Sequence, residues 1–156
     1  RTAGGRHMIS HGRRRLGVPA RALNGVLMLW VGRLGLPCPR AAVLRVHGRR
    51  SGRLHSVPLL IGRHDGERYL VAPRGRTDWA LNLQAAGWGE LTRRRRTERI
   101  TAVTVDGDER LAALTAYIRS YGWLTRSLFG LPRRPGPERI AAIAPHHPVF
   151  RIASRD

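Results

Sequence analysis

The five residues Gly-Arg-Arg-Ser-Gly at positions 48–52 have the composition of an anion-binding turn. Glycines at both ends allow positive φ angles, so that successive backbone N–H groups can converge on one oxyanion. Arg49 and Arg50 supply planar guanidinium groups that bind phosphate or carboxylate in a bidentate manner, and Ser51 adds a hydroxyl. Charged glycine-rich turns also join strands without binding any ligand, so these five residues alone leave both interpretations open.

Other common catalytic and metal-binding patterns are missing from the sequence. It contains no Cys/His cluster at zinc spacing, no Walker phosphate-binding loop and no Gly-x-Gly-x-x-Gly motif. His7 and His11 have the spacing of helical metal ligands, but residues 1–8 are interpreted as the remnant of an expression tag. Cys38, the only cysteine, lies between two prolines and is interpreted as structural, in a reducing compartment. We therefore expect no metal site.

The chain is strongly basic, and every one of its basic residues other than histidine is arginine. It has 29 Lys+Arg against 10 Asp+Glu, a formal net charge of +19. Codon bias in a GC-rich genome, as in actinobacteria, would explain arginine in place of lysine, whereas an anionic partner would explain the excess over acids. The four arginines at 93–96 would alternate between two faces of a strand, and the aromatic residues are scattered. A basic nucleic-acid-binding module is therefore an alternative rather than the favoured function.

The N-terminal part of the chain predicts a helix. Residues 22–36 form an apolar run, interrupted by Arg33, whose apolar side chains recur at helical spacing up to Pro37. The run is shorter than the roughly 20 residues that cross a bilayer. The helix can pack on the core, which we favour, or residues 13–36 can lie on an anionic membrane surface. The expected localisation is cytoplasmic, at most peripheral at the inner face of the membrane.

After this segment the pattern changes to short strands. The length of 156 residues predicts one domain, at 41–156, preceded by the helical segment at 9–40. Period-two alternation and an Asp-Gly turn at 65–66 predict three strands joined by hairpins, with Pro58 at an edge or a bulge.

Helices alternate with the remaining strands. A short helix is predicted to begin at Thr77 or Asp78, and a second hairpin follows it. A longer helix is predicted from about Asp106, with Glu109 as its capping-box acid, and a strand closes the chain. This order predicts an α+β fold, an antiparallel sheet or barrel decorated by an N-terminal helix and two or more further helices.

Four motifs in the region 43–104 resemble the deazaflavin-dependent nitroreductase and quinone reductase family. Residues 48–52 stand where that family has a Gly-Arg-Lys-Ser/Thr-Gly turn, and SVPLL follows at 56–60. The Asp-Gly hairpin returns as YLVAP at 69–73, and DWALNLQA at 78–85 is similar to the family's Trp-x-x-Asn-Leu helix. The resemblance implies a split β-barrel, like that of FMN-binding proteins. It also implies binding of coenzyme F-420, a deazaflavin that carries a phosphodiester and an oligoglutamate tail.

The same resemblance implies a coenzyme site built from four segments. Arg49, Arg50 and Ser51 would hold the phosphate and the tail. The strand after this turn would lie along the ring, the loop after YLVAP would line the other edge of the ring, and the next helix would close the site. These three segments contribute His55, Ser56, Val57, Pro58, Leu59 and Leu60; Ala72, Pro73, Arg74, Gly75 and Arg76; and Asp78, Trp79, Ala80, Leu81 and Asn82.

The activity implied by the resemblance is hydride transfer from the reduced deazaflavin to an electron-poor acceptor. The acceptor would be a quinone, a nitroaromatic or an activated alkene, and a role in natural-product tailoring is open. Tyr121 is the predicted proton donor, with Tyr117 and His147 behind it. His55 departs from the family, because many members have arginine there. A split-barrel protein that is non-catalytic or uses FMN remains an alternative, and such barrels often form homodimers.

Overall fold

The computed structural model describes residues 40–155, which form a closed six-stranded antiparallel barrel with three helices. The strands are β1 (Ala41–His47), β2 (Leu54–His64), β3 (Glu67–Val71), β4 (Trp88–Arg93), β5 (Arg96–Thr104) and β6 (Val149–Ser154). The helices are α1 (Asp78–Ala86), α2 (Gly107–Phe129) and α3 (Pro137–Ile143), the last followed by a 3-10 turn (Ala144–His146). Around the barrel the strands follow the order β1-β2-β3-β6-β5-β4. This architecture confirms the predicted α+β barrel. The predicted helix at 22–36, the His7/His11 pair and Cys38 lie outside the described residues.

The barrel interior is filled by alternate side chains of the strands. In β1, Ala42, Leu44 and Val46 are buried while the residues between them are more exposed, as a strand with one face on a core requires. Helix α1 adds Ala80 and Leu83 to the same cluster. We call this the interior cluster; its buried members are Ala42, Leu44, Val46, Ile61, Leu70, Ala72, Ala80, Leu83, Leu91, Ile100, Ala102, Phe150 and Ile152.

A second apolar layer lies between the barrel and the long helix α2. Gly62 in β2 lets the helix approach, since a Cβ there would lie 3.2 Å from Cδ2 of Tyr117. We call this layer the outer cluster; its buried members are Tyr69, Val71, Val105, Ala113, Leu114, Tyr117, Ile118, Tyr121, Phe129, Leu131, Ile140, Ala144 and Val149. Within residues 40–155, none of the helices is both long and apolar enough to cross a membrane.

The start of α2 differs from the sequence prediction. Asp106 is the N-cap residue, but no side-chain capping bond forms, and Asp106 pairs instead with Arg110 one turn later. The carboxylate of Glu109 accepts hydrogen bonds from the Tyr69 hydroxyl (3.1 Å) and from the Arg151 guanidinium (2.7 Å). The predicted capping-box role of Glu109 is therefore wrong, because partners on β3 and β6 take its carboxylate.

The arginine run at 93–96 forms a hairpin tip rather than a continuous strand. Strand β4 ends at Arg93, β5 begins at Arg96, and Arg94 and Arg95 between them have φ angles of 46° and 66°. The predicted alternation of all four side chains along a strand is thus wrong at its centre. Two-residue hairpins with such angles favour Asn-Gly, because the left-handed region costs other residues energy.

We expect Arg95→Gly to raise the free energy of unfolding by about 1 kcal/mol, since glycine adopts positive φ without a steric penalty. Urea unfolding followed by circular dichroism would measure this. Arg96→Gly, one residue into β5, should instead lower stability. An unchanged or lower midpoint for Arg95→Gly would contradict the expectation.

A polar cluster joins three strands on one side of the barrel. The guanidinium of Arg68 in β3 donates to both carboxylate oxygens of Glu98 in β5, at 2.6 and 3.3 Å, and Ser154 in β6 donates to the same carboxylate at 2.6 Å. The hydrogen bond from Arg68 is the largest cause that lowers the pKa of Glu98 below its usual value. This ion pair therefore stabilises the fold above the unfolded pKa of Glu98, and the stabilisation is lost as the pH falls through the lower folded value.

Glu98→Gln should accordingly show a smaller fall in melting temperature between pH 6 and pH 3 than the unchanged protein does. Thermal unfolding across this range tests the expectation, with Glu138→Gln, an exposed acid on α3, as the matched control. Parallel pH profiles for Glu98→Gln and the unchanged protein would contradict it.

Candidate functional site

The turn between β1 and β2 needs both of its glycines. Gly52 has a φ of 65°, and its N–H donates to the carbonyl of Gly48 at 2.8 Å. A Cβ at Gly48 would lie 2.8 Å from the Ser51 hydroxyl and 2.9 Å from Nε2 of His55. The hydroxyl and the imidazole therefore meet over the bare backbone of Gly48. The N–H groups of Gly48, Arg49, Gly52 and Arg53 already have acceptors in the protein. The turn therefore offers a ligand chiefly side-chain atoms rather than a set of free N–H groups.

Arg49 joins this turn to the first helix. Its backbone N–H and its Nη1 both donate to Oδ1 of Asn82, at 3.1 and 2.8 Å, and Nη1 also lies 3.3 Å from Oδ1 of Asp78. The Asn82 side chain is buried. Two of the predicted site segments thus come together through these contacts. Arg49 also acts as a structural tie, because part of its charge and donor capacity is already used within the protein.

The first half of β2 has one open side. Within residues 40–155, the segment 54–60 pairs with β1, and the pairing with β3 begins only at Ile61. The N–H of Ile61 points toward β1, where it donates to the carbonyl of Arg40. Because N–H groups alternate along a strand, the N–H of Ser56 and the nitrogen of Pro58 face the open side. Of the two predicted positions for Pro58, an edge or a bulge, the structure shows the edge, and the predicted ring-binding segment has main-chain atoms on its unpaired side.

Side chains of the same segment divide between solvent and core. His55 and Ser56 are exposed, and Pro58 is buried. Val57 and Leu59 are partly buried and pack on the interior cluster, whereas Leu60 packs on the outer cluster.

The loop after β3 is held by the residues that precede β6. The N–H of Ala72 donates to the carbonyl of Pro148, and Nδ1 of His147 donates to the carbonyl of Ala72, both at 3.0 Å. Gly75 has a φ of 80°, and a Cβ there would lie 3.1 Å from the carbonyl oxygen of His146. This loop is therefore rigidly placed, and His147, a reserve proton donor in the sequence prediction, is a buried anchor for it.

The end of this loop carries an unsatisfied hydroxyl. Thr77 is the N-cap of α1, yet its side chain makes no capping bond, and its Oγ1 is buried without a hydrogen-bond partner among the described residues. Pro73 is partly buried, and Arg74 and Arg76 are exposed on either side of Gly75. A buried hydroxyl without a hydrogen-bond partner destabilises the fold. A ligand that formed a hydrogen bond with it would therefore bind more tightly.

Of the remaining predicted residues of α1, Trp79 and Ala80 pack on the barrel core. Trp79 is half-buried, and its ring centroid lies 6.1 Å from that of Phe150 in the interior cluster. Ala80 is buried in the same cluster, and Leu81 is partly buried. These residues position the helix, while Asp78 and Asn82 make its polar contacts with the turn.

Two of the predicted proton donors, Tyr117 and Tyr121, lie on the buried face of α2. The Tyr121 hydroxyl donates to the carbonyl oxygen of Ile61 at 2.8 Å, and the rings of Tyr117 and Tyr121 lie 5.0 Å apart. Ile61 directly follows the segment 54–60. Tyr121 therefore reaches the main chain next to the proposed ring-binding edge, but its proton is already shared with a backbone acceptor.

The contact of Arg49 with Asp78 and Asn82, which we call the polar junction, had a signal in the sequence besides the four motifs. Asp78 and Asn82 are four residues apart, so on a helix they share one face. A polar pair of this kind, at the start of an otherwise apolar helix, favours a basic partner such as Arg49.

The positive charges around the turn are largely unneutralised. Arg50 and Arg53 are exposed, and neither forms an ion pair with an acid of residues 40–155. Among the same residues, no group of three His, Cys, Asp or Glu side chains is arranged to hold a metal ion. Unneutralised arginines on an exposed turn attract anionic groups.

Comparisons with known proteins identify the family and the fold. The family model described as F420H(2)-dependent quinone reductase matches residues 20–121. An F420-H2 dependent reductase (FDR-A) has a similar structure, with 19% identity, coverage of 73% of this chain and 94% of that one, and a TM-score of 0.53. A structure described as a domain-swapped dimer has 17% identity, covers 86% and 96% of the two chains, and gives a TM-score of 0.53. HutZ, a heme storage protein from Vibrio cholerae, has 12% identity, 76% and 83% coverage, and a TM-score of 0.52.

These three solved structures are similar to this chain in fold. The family model covers most of the chain. No curated protein matches the sequence. The family match confirms the resemblance predicted from the four motifs. The chain belongs to the F420H(2)-dependent quinone reductase family and is an oxidoreductase.

Proposed function

We propose that the chain binds reduced coenzyme F-420 in the site formed by the turn at 48–52, the open edge at 54–60 and the start of α1. The observation that carries this proposal is the contact of Arg49 with Asn82 and Asp78, which fixes the turn against the helix. A turn held in this way keeps its main chain in one arrangement, so that less entropy is lost on binding.

The distribution of charge favours a deazaflavin with an acidic tail over FMN. Arg49 is engaged within the protein, and Arg50 and Arg53 remain exposed on the same turn. A single phosphate would use one such cation well, whereas a phosphodiester followed by glutamates supplies an acceptor for each. Arg74 and Arg76, exposed on the loop that leads into α1, add further positive charge.

The coenzyme supplies the hydride when it is bound, and the chain positions it. The free main-chain groups of β2, including the N–H of Ser56, would orient the ring by hydrogen bonds. Val57 and Pro58 would give it an apolar support, and the buried hydroxyl of Thr77 would gain a partner. An electron-poor acceptor is the substrate class that hydride donation requires: a quinone, a nitroaromatic or an activated alkene.

Titration with oxidised coenzyme F-420, followed through its own fluorescence, tests the proposal. We expect saturable micromolar binding that weakens with salt, and at least about tenfold weaker binding of FMN, because each charged hydrogen bond contributes roughly 1.5–3 kcal/mol. Arg50→Gln should reduce the affinity for F-420 more than that for FMN. Arg63→Gln, an exposed arginine farther along β2, is the matched control. No binding at micromolar concentration would overturn the proposal.

We also propose that Tyr121 is the proton donor, although its hydroxyl is hydrogen-bonded to the carbonyl of Ile61. To protonate a product, the hydroxyl would exchange the carbonyl of Ile61 for the product atom. Tyr121→Phe should therefore lower kcat while leaving the Kd of the coenzyme unchanged, and it should lower the free energy of unfolding by about 1 kcal/mol through the lost hydrogen bond. Steady-state kinetics, coenzyme titration and urea unfolding measure the three quantities. Unchanged kcat with reduced stability would leave Tyr121 a purely structural residue.

We also propose that the protein forms a homodimer and acts in natural-product tailoring. A homodimer is supported by the domain-swapped dimer among the similar structures, and light scattering coupled to size-exclusion chromatography would test it. A role in natural-product tailoring is compatible with each acceptor class named above.

A further inference from the structure

A groove separate from the coenzyme segments lies between α2 and the segment that leads into α3. It has a volume of about 430 Å³, within the range of small-molecule sites. Its apolar lining includes Ile118 from α2 and Ile140 from α3, both members of the outer cluster. Buried side chains of the core thus form part of the floor of the groove.

Three arginines line this groove. Arg119 and Arg126 come from α2, and Arg133 comes from the loop before α3. None of them forms an ion pair with an acid of residues 40–155, in contrast to Arg68, which is paired with Glu98. Three unpaired guanidinium groups from two elements around one concavity favour an anionic ligand.

The groove also contains an exposed aromatic ring beside a glycine that packing does not require. Trp123 is 75% exposed, which is unusual for so large an apolar side chain. Gly122 lies inside α2, where glycine is a poor helix former. A Cβ at Gly122 would touch only the Cγ2 of Ile118, at an ordinary 3.5 Å. The protein therefore has room for alanine in this helix, and the missing methyl group instead widens the groove beside the indole.

We propose that this groove binds a planar aromatic carboxylate, with its ring against Trp123 and Gly122 and its carboxylate on the arginines. The indole face and the flat surface left by glycine fit a planar ring, and a carboxylate matches the fork of a guanidinium group. This inference is independent of the coenzyme site, because the two share no residue.

Titration of the full chain with 2-naphthoate, followed by tryptophan fluorescence, tests the proposal. We expect saturable quenching that disappears in Trp123→Phe, and at least about tenfold weaker binding of 2-naphthalenemethanol, which has the same ring without the charge. Equal affinity for the acid and the alcohol, or no saturation by millimolar 2-naphthoate, would overturn the proposal. Failure of acrylamide to quench the fluorescence of Trp123 would also overturn the proposal, because the groove would then be covered in the full chain.

Variants separate a binding role from a purely structural one. Gly122→Ala should keep or raise the melting temperature, because alanine is the better helix former, yet weaken 2-naphthoate binding at least about fivefold. Arg133→Gln should also weaken it, whereas Arg139→Gln, an exposed arginine of α3 outside the groove, should not. Coenzyme affinity should be unchanged in all three variants. Full 2-naphthoate affinity in Gly122→Ala would sink the proposal.

Discussion

Asn82→Ala should weaken binding of coenzyme F-420 by about 10- to 100-fold, as expected for the loss of a charge-assisted hydrogen bond. One side-chain oxygen, on a residue only 4% exposed, accepts both the backbone N–H and the guanidinium of Arg49. Without that acceptor only the longer contact of Arg49 with Asp78 holds the turn at 48–52 against α1, and the coenzyme would have to order more of the turn as it binds. Fluorescence titration with the oxidised coenzyme measures the change.

Two control variants separate this effect from general damage to the helix. Gln84→Ala changes an exposed amide on the same helix and should leave the Kd unchanged. Asn82→Asp keeps an acceptor at the same atom and should retain most of the affinity. Circular dichroism and thermal unfolding establish that each variant is folded at the titration temperature. If folded Asn82→Ala binds as tightly as the unchanged protein, the turn does not depend on this junction.

Phe150→Ala should lower the free energy of unfolding by about 3–5 kcal/mol, the usual cost of emptying a phenylalanine site in a core. Phe150 is 0% exposed, and on β6 it faces Leu70 of β3 and Thr104 of β5 across the sheet. Its ring also supports Trp79, so the loss extends to the packing of α1.

Urea unfolding measures this loss against Val103→Ala, a substitution on the neighbouring strand at a residue that is 55% exposed. The control should change stability by less than about 1 kcal/mol. An equally small change in the free energy of unfolding for Phe150→Ala would contradict the prediction and would mean that the barrel contracts to fill the cavity. Coenzyme titration of the folded variant should also show weaker binding. The reason is that Trp79 and Asn82 lie on the same helix, and Trp79 packs that helix against Phe150.

The strands could be predicted from the sequence. Period-two alternation in β1 and the Asp-Gly turn after β2 depend on local chemistry that the barrel does not override. Pro58, which has no N–H to donate, likewise required an edge or a bulge wherever the strand lay. These local signals agree with the global fold, which explains why the barrel could be predicted.

The other features depend on partners that are distant in sequence. Glu109 looks like a capping residue until Arg151 and Tyr69, from two strands, take its carboxylate. Helix α3, which the sequence interpretation did not include, spans only seven residues, and the outer cluster secures it through Ile140. Arg49 looks like a free anion-binding residue because nothing near it in sequence shows that Asn82 will accept its donors.

The open side of β2 has a consequence for solubility. A strand edge with free N–H groups can pair with the edge of another molecule, which is the usual start of edge-to-edge aggregation. At Pro58 the edge lacks a donor, so within residues 40–155 an incoming strand could not complete its ladder along 54–60. The proline thus leaves the edge open to a small planar ligand while making it a poor template for a second polypeptide.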